Sequence, residues 1–361
     1  MRKFSCNVCE FLYISALAPH RALPTTAENQ RIPMIRIDML THLFRKTAPI
    51  LVLIGILMPA RAQQDPQFTQ WFMEPAMFNP AVAGNNDLTC ISGAYRNQWS
   101  GLSNQPNTAM LTAHTMVDQL KGGLLLSFYN DVLGQETNNL ARLGYAYHLQ
   151  PMANGAILSF GAAVSMFNKT IGNDWIAIDD FTSDAAIPND KQSASTTDVD
   201  LGIYIRKPGS FYAGISATHV AEVALGQLSI QPTRHYYLMG GYDHPLDGDY
   251  LVLRSNILAK TDLNATIADV NVNVLWNNML WGGLTWRPGD AVAPVFGFEY
   301  AMEDKQKTSY AKQVFRLGYS YDATTTELSN YSNGSHEVFL SYCFKFQQIP
   351  MLNRHANPRF L

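Results

Sequence analysis

The chain contains few side chains whose types and spacing would support catalysis or metal binding. Its 9 His residues are scattered, and none has a metal-site spacing such as H-x₃-H with a carboxylate nearby. Cys6 and Cys9 form a C-x-x-C pair, but they lie in a segment that we expect to be removed. No nucleophile–base set is evident. We therefore expect no enzyme, no cofactor and no metal. The alternative is an active site assembled from distant strands, which local motifs do not test.

One long stretch, residues 169–197, is rich in Asp and so offers the oxygen ligands that Ca²⁺ prefers. Its spacing matches no known calcium cage, so we predict a solvated external loop. Apolar residues in the same region indicate that the loop folds over another surface, and long loops tend to carry function. These acidic and apolar residues are Asp174, Asp179, Asp180, Asp184, Asp190, Phe167, Trp175, Ile178 and Phe181.

The rest of residues 88–347 repeats one pattern, in which about ten residues alternate apolar with small or polar before a turn. Val270, Val272 and Val274, for example, alternate with Asp269 and Asn271. A period of two places the two sets on opposite faces of a β-strand. We predict about fourteen strands, near residues 88–97, 107–117, 122–131, 137–149, 155–167, 198–206, 210–218, 234–243, 250–261, 266–277, 279–287, 292–301, 313–322 and 335–347.

These strands predict an all-β fold, a transmembrane antiparallel up-and-down β-barrel, with a soluble β-sandwich as the alternative. One strand face is apolar and the other carries charged residues and Gly, as in a barrel with lipid outside. The even count and the alternation of short and long connections fit short periplasmic turns and longer external loops. Charged residues are only 15% and the formal net charge is -3, which gives no basic surplus for nucleic acid.

The polar face predicts what fills the barrel. Its charges are of both signs and are accompanied by several Gly residues, which favours a packed or plugged interior over a selective pore. The charged residues in this phase are Arg142, Asp198, Asp200, Arg254, Asp269, Glu299, Arg316 and Glu337, and the glycines are Gly144, Gly161, Gly202, Gly214, Gly297 and Gly318.

The N-terminal region predicts export and defines the domains. Basic residues near 42–46, an apolar run over residues 48–58 and Ala60-Arg61-Ala62 match a cleaved signal peptide. The apolar run is too short to span a bilayer as a helix. We expect the true start at Met39 or Met34. We therefore divide the chain into a removed region (1–62), a periplasmic leader (63–87), an outer-membrane barrel (88–347) and a C-terminal tail (348–361).

Several motifs in order resemble the PorP/SprF family of outer-membrane proteins, which is associated with type IX secretion and gliding motility. The resemblance covers the chain from residue 63 to its end. It rests on DPQFTQWFMEPAMFNPAVAG at 65–84, YRNQWSGL at 95–102, SFYNDVLG at 127–134, YAYH at 145–148, HYYLMGGY at 235–242, WGGLTWRPGDAVAPVFGF at 281–298, LGYSYDATTTELSNYSNGSHEVFLSYCF at 317–344 and NPRF at 357–360.

The resemblance implies a barrel that binds rather than catalyses. It implies as partners a secreted surface protein with a type IX C-terminal signal, together with secretion or periplasmic anchoring subunits. A diffusion porin or hydrophobic-substrate channel is the alternative function. From the predicted topology and the resemblance we expect the external loops to meet the exported partner, and the leader and tail to meet periplasmic components. The expected contact residues are Trp175, Asp179, Asp180, Phe181, Tyr331, Asn357, Pro358, Arg359 and Phe360.

Cys90 and Cys343 are candidates for a disulfide at the barrel seam. The first and last strands of a closed antiparallel barrel are neighbours, and both residues fall in the inward phase near the periplasmic end. The periplasm is oxidising, so two close thiols there would pair. A shear that offsets the two strands would instead leave both thiols free, since Cα atoms more than about 7 Å apart cannot be bridged.

We predict that the mature protein begins at Gln63, because Ala60 and Ala62 provide the small residues that signal cleavage requires. N-terminal sequencing of the protein purified from outer membranes checks this. A sequence that begins upstream of Met39 would contradict it.

Overall fold

The alternating pattern folds into one closed sheet. The computed structural model describes residues 65–86, 88–173, 190–226, 228, 230–248, 250–303 and 312–345. Within them, fourteen antiparallel strands form a closed barrel in which β1 pairs with both β2 and β14. The strands are β1 (Thr89–Asn97), β2 (Asn107–Val117), β3 (Gly122–Leu133), β4 (Glu136–His148), β5 (Ile157–Ile171), β6 (Gln192–Lys207), β7 (Phe211–Thr218), β8 (His235–Asp247), β9 (Leu251–Thr261), β10 (Thr266–Trp276), β11 (Leu280–Arg287), β12 (Ala291–Glu303), β13 (Lys312–Thr324) and β14 (Ser335–Phe344).

All fourteen predicted strands are confirmed, and the largest difference concerns β5 and β6. These strands continue past the apolar alternation, so that β5 ends at Ile171 and β6 begins at Gln192. The added part of the hairpin is polar, and Asn168 on β5 hydrogen-bonds Ser193 and Ser195 on β6. Apolar alternation marks the lipid-embedded length of a strand, so it did not reveal this polar extension.

The two faces of the sheet differ as predicted. On β1, Ile91 and Tyr95 are 45% and 54% exposed, whereas Ser92 and Arg96 are buried in the lumen. The outward residues are predominantly apolar, which suits contact with lipid. No helix among the residues that the structure describes is long and apolar enough to cross a bilayer.

The connections assign the two ends of the barrel. The start of β1 and the end of β14 lie at the same end of the barrel as the short turns at residues 208–210 and 277–279. Short turns of such barrels face the periplasm, so we assign this end as periplasmic. The opposite, external end carries the longer connections, including residues 98–106, 172–191, 219–234 and 325–334. Five exposed aromatic residues lie toward the periplasmic ends of their strands, as in an interfacial girdle: Tyr147, Tyr242, Trp276, Tyr300 and Tyr342.

The strand register brings the two predicted cysteines together. Cys90 of β1 lies directly opposite Cys343 of β14. Their Cα atoms are 4.0 Å apart and the structure joins them in a disulfide. The bond connects residues 253 positions apart in the chain at the seam where the sheet closes.

The leader lies inside the barrel, and its expected periplasmic position is wrong. Residues 65–86 enter the lumen and form three short 3-10 turns, Trp71–Met73, Pro75–Met77 and Pro80–Val82. Trp71, Ala76 and Ala81 are fully buried there. The physical reason lies in the inward face of the wall, which consists of small and charged residues. The small residues leave space that the apolar side chains of the leader fill, and the charged residues accept hydrogen bonds from its backbone amides.

Val272 on β10 provides a test of the register, because it faces lipid near mid-strand and is 43% exposed. Val272→Arg should destabilise the barrel by about 2–4 kcal/mol, the cost of a cation near the bilayer midplane. Asn256→Arg is the matched control, since Asn256 faces the lumen beside a cavity of about 490 Å³ where a guanidinium stays hydrated. Urea unfolding in lipid vesicles measures both, and equal losses would contradict the register.

Alkylation tests the disulfide. After removal of residues 1–62, Cys90 and Cys343 are the two cysteines that remain in the sequence. We expect no alkylation of the denatured mature protein without reductant and two added groups after reduction. Two groups added without reductant would mean that the thiols are free.

Candidate functional site

At the external end of the lumen, the leader backbone is bound by a buried carboxylate of the barrel wall. The backbone amides of Thr69 and Gln70 donate to the two oxygens of Glu337 on β14, at 2.7 and 2.8 Å. The Gln70 side chain also donates to the carbonyl oxygen of Glu337, at 3.3 Å. Hydrogen bonds to an ionised carboxylate are about twice as strong as neutral ones. Glu337 therefore fixes both the position and the direction of the leader.

Two buried arginines complete this contact. Arg96 on β1 lies 2.7 Å from Asp322 and 3.2 Å from Glu337, and it donates to the Thr69 hydroxyl at 2.9 Å. Arg287 on β11 pairs with Asp322 at 3.3 Å and with Asp269 at 2.6 Å. These side chains are nearly inaccessible to solvent. We call this set, Thr69, Gln70, Arg96, Asp269, Arg287, Asp322 and Glu337, the anchor network.

Glycine residues in the wall allow the leader to approach closely. A Cβ atom at Gly161 on β5 would overlap the backbone of Pro80 and Ala81. A Cβ at Gly123 on β3 would overlap the backbone of Ala83 in the same way. Asn79 is held between two strands, because its amide donates to the carbonyls of Ile203 and Ile215 at 3.1 and 3.3 Å. The inward glycines thus fit the predicted plugged interior.

A second polar contact holds the middle of the leader nearer the periplasmic end. The Ser92 hydroxyl donates to Glu74 at 2.5 Å, and the His114 ring lies 3.5 Å from the same carboxylate. Arg142, in the middle of β4, donates to the carbonyl of Met77 at 2.6 Å and pairs with Asp200 at 2.5 Å. The leader is therefore attached at several depths in the lumen.

Asp65, the first described residue of the leader, lies at the external end. Its carboxylate accepts hydrogen bonds from Tyr237 at 2.5 Å and Thr218 at 3.2 Å, and it lies 3.5 Å from His219. Burial alone would raise the pKa of the Asp65 carboxyl, but the charges of His235 and His219 and these hydrogen bonds hold it well below its usual range. Burial would lower the pKa of His219, but its contact with Asp65 raises it. The pair is thus favoured in its charged form.

Among the described residues, the two larger cavities flank the leader. The external one, about 130 Å³, adjoins Asp65 and is lined by Asp131, Glu136, Lys169 and His235 among others. The periplasmic one, about 490 Å³, lies between Met73 and Glu74 of the leader and wall residues that include Arg254 and Glu299. Among the described residues, no group of three or more His, Cys, Asp and Glu is placed to hold a metal ion.

Three external connections form one continuous surface, which we call the external platform (residues 98–106, 288–290 and 325–334). The Ser100 amide donates to the Gly334 carbonyl at 2.8 Å, and the Asn333 amide donates to the Ser100 carbonyl at 2.7 Å. The Thr325 amide donates to the Asp290 carbonyl at 2.8 Å and so joins the third connection. Tyr331 projects from this platform and is 74% exposed.

Most of the contact residues expected from the sequence lie outside the described residues. These are Trp175, Asp179, Asp180 and Phe181 in the loop, and Asn357, Pro358, Arg359 and Phe360 in the tail. Tyr331 is described, and it lies at the external end as expected. The eight charged residues predicted to face inward all do so, from fully buried Asp200 to partly open Arg254 and Arg316.

Sequence reasoning missed the anchor network because it did not count Arg96, Arg287 and Asp322 among the inward-facing charges and treated the leader separately. Arg287 is the last residue of β11, Asp322 lies two residues before the end of β13, and both are buried in the lumen. One available signal was that Arg96 and Glu337 each share the inward phase of their strands with buried Ser92 and Ser341. The acceptor role of Glu337 toward two leader amides has no local signature.

The comparison with protein families gives one match. The model described as type IX secretion system membrane protein PorP/SprF matches residues 60–342 of this chain. This range contains all the described leader and nearly all of the barrel. The search of curated proteins gave no match.

Solved structures similar to this chain are also barrels. A Pseudomonas aeruginosa FadL homologue is 10% identical with a TM-score of 0.44, over 75% of this chain and 94% of that one. The Pseudomonas putida toluene transporter TodX is 11% identical with a TM-score of 0.42, over 76% and 94%. The Salmonella typhi outer membrane phospholipase dimer with bound calcium is 12% identical with a TM-score of 0.32, over 72% and 90%. Likeness this distant carries no argument about function.

Gly161 tests whether the leader is packed against the wall. Gly161→Val should weaken docking of the leader by about 1–3 kcal/mol, because overpacking forces the backbone of Ala81 away. Gly93→Val is the control, since a Cβ at that lipid-facing glycine meets only an ordinary contact at 3.6 Å. Chymotrypsin should cut the leader of the folded Gly161→Val barrel and spare the control. Equal resistance of both leaders would contradict the packing.

Proposed function

This chain belongs to the PorP/SprF family of type IX secretion system membrane proteins, and we propose that it binds exported partner proteins and secretion subunits and anchors them at the outer membrane. The observation that carries this proposal is the combination of a lumen filled by the chain's own leader with a hydrogen-bonded external platform. Such a molecule has little open interior for transport and a formed surface for binding.

The external end supports the contact with an exported protein. Backbone hydrogen bonds join the connections of the platform, so a partner would meet a surface that is largely formed in advance. Preorganised surfaces lose less conformational entropy on binding. Tyr331 exposes a large aromatic side chain there, and tyrosine is enriched among the residues that dominate binding energies.

The loop between β7 and β8 lies at the same external end, on the opposite side of the barrel. Its Leu225 and Ile230 form an antiparallel bridge, and Arg234 pairs with Glu222 at 3.4 Å. Thr196 on β6 donates to the Val223 carbonyl at 3.1 Å. These contacts give the loop between β7 and β8 a defined shape beside the external end of β6. The expected contact residues Trp175 and Asp179 lie in the sequence between β5 and β6, outside the described residues.

The periplasmic end supports the second class of partner. β14 ends there at Phe344, and the tail that contains NPRF at 357–360 follows it in the sequence. Because the leader is docked in the lumen, we assign the periplasmic contacts to the tail and the turns alone. We propose that the barrel has no catalytic role, since the proposed activity needs only binding surfaces.

The alternative is a diffusion porin or a hydrophobic-substrate channel on the same barrel. It would need the leader to be displaced, because the anchor network occupies the external half of the lumen. The periplasmic cavity of about 490 Å³ is the observation that favours it. The two functions differ in ion conductance, which we expect to be absent for the intact protein in a planar bilayer. Steady conductance would favour the channel.

Tyr331→Ala tests the proposed binding surface. We expect it to weaken retention of a protein that bears a type IX C-terminal signal by about tenfold, equivalent to about 1.4 kcal/mol. Leu120→Ala is the matched control, because Leu120 is 51% exposed but lies in a periplasmic turn. Binding of the signal-bearing domain to both purified barrels is measured by calorimetry. Equal affinities for both variants would show that the partner does not contact Tyr331 and would contradict a binding site on the platform.

A further inference from the structure

The external part of β6 is a free edge of the sheet. β6 pairs with β5 from Gln192 to Arg206. Its other neighbour, β7, is shorter and pairs with β6 only from Leu201 to Lys207. Residues 192–200 of β6 therefore extend beyond the last pair with β7. The backbone N–H and C=O groups of such an edge are available to pair with another strand.

Three residues direct their backbone groups toward this edge. In an antiparallel sheet, residues two apart direct their N–H and C=O groups to the same side. The carbonyl of Val199 accepts a hydrogen bond at 3.0 Å from the amide of Val220, which follows β7. Ser193, Ser195 and Thr197 therefore face the same side as Val199. Within the ranges that the structure describes, no hydrogen bond joins the backbone of these three residues to a neighbour on that side, and all three are exposed.

The hairpin of β5 and β6 holds this edge in shape. Asn168 on β5 donates to the hydroxyls of Ser193 and Ser195, at 3.1 and 2.9 Å, and the Thr170 hydroxyl lies 3.0 Å from that of Ser193. Exposed edges are commonly protected by Lys, Pro or a β-bulge, and residues 193–197 contain none of them. They span about 16 Å, close to the length of an ordinary strand. The edge is therefore formed in advance and open to one partner strand.

The loop between β7 and β8 lies beside the edge on its lumen side. The Thr196 hydroxyl donates to the Val223 carbonyl at 3.1 Å, and the Ala221 amide donates to Asp198 at 2.8 Å. Because Thr196 and Asp198 are buried on the inward face of β6, the loop follows that face. Val223 is 44% exposed, and Ala221 and Ala224 are exposed as well. A strand added at the edge would pack one of its faces on these apolar residues.

We propose that residues 193–197 bind an exported partner protein by strand addition, in which an extended segment of the partner pairs with β6 beyond the end of β7. The segment continues the β6–β7 ladder and is amphipathic, with apolar side chains over Val223 and uncharged polar side chains beside Ser195. Backbone pairing supplies affinity, and the alternate side chains supply specificity. The inference rests on the proposed function and gives the exported protein a contact away from the external platform.

Ser195→Pro tests pairing through the backbone. Proline removes the amide that faces the edge, and it spares the ladder with β5 because the Ser195 amide is directed away from that strand. Ser195→Ala is the matched control, since it removes the hydroxyl and keeps the amide. We expect the signal-bearing domain of an exported protein to bind the proline variant about tenfold more weakly and the alanine variant within about twofold of the parent. Calorimetry on the purified, full-length barrels measures these affinities.

Hydrogen exchange in the parent barrel separates this inference from the proposed function. We expect the amides of Ser193, Ser195 and Thr197 to exchange fast in the free barrel and to become protected when the domain binds. The amides of Ala194 and Thr196 face β5 and should be protected in both states. A domain that binds both Ser195 variants equally and leaves the three edge amides unprotected would overturn the edge site and leave the proposed function standing. A domain that does not bind the parent barrel would overturn both.

Two other occupants of the edge are outcomes of the same exchange experiment. Protection of the three amides in the free barrel at every protein concentration would show that another part of this chain, such as residues 174–189, covers them. Protection that increases with protein concentration would show that a second copy of the chain covers them. Either result would overturn the proposed partner. Because exchange is measured on the parent barrel, it decides between these occupants even where the proline variant fails to fold.

Discussion

The structure depends on the hydrogen bonds between two leader amides and the buried carboxylate of Glu337. A charged group inside a barrel is stable only when it is paired and hydrogen-bonded, because removing it from water costs several kcal/mol. Arg96 supplies the opposite charge, and Thr69 and Gln70 supply the donors. Neither the wall nor the leader satisfies these groups alone. The barrel and its leader are therefore one folding unit.

The rest of the lumen follows from this attachment. Once Thr69 is fixed near the external end, the chain must cover the length of the barrel before β1 begins at Thr89. Three short turns with two prolines fold that length into the lumen, and wall glycines give the backbone room. The disulfide closes the sheet at the opposite, periplasmic end. A barrel built in this way leaves binding to its two ends, consistent with a role in a secretion system.

The barrel and its filled lumen were predictable from the sequence, whereas the segment that fills the lumen was not. Apolar residues such as Val272 and polar residues such as Asp269 alternate with a period of two along each strand. This local pattern arises because one face of the barrel contacts lipid and the other faces the lumen. Thr69 and Glu337 are 268 residues apart, and no local pattern records their contact. The leader has no alternation of apolar and polar residues from which a strand or its position could be predicted. The same limit applies to Arg287 and Asp322, which are 35 residues apart in the chain and meet in the lumen.

Hydrogen exchange of the Thr69 and Gln70 amides tests the central claim most directly. Amides bonded to a buried carboxylate exchange only when the leader detaches or the barrel opens. In the purified barrel in detergent, we predict that both amides are protected as strongly as the mid-strand amides of β1. Exchange of both at the rate of an unstructured peptide, while the strands stay protected, would contradict a leader built into the barrel.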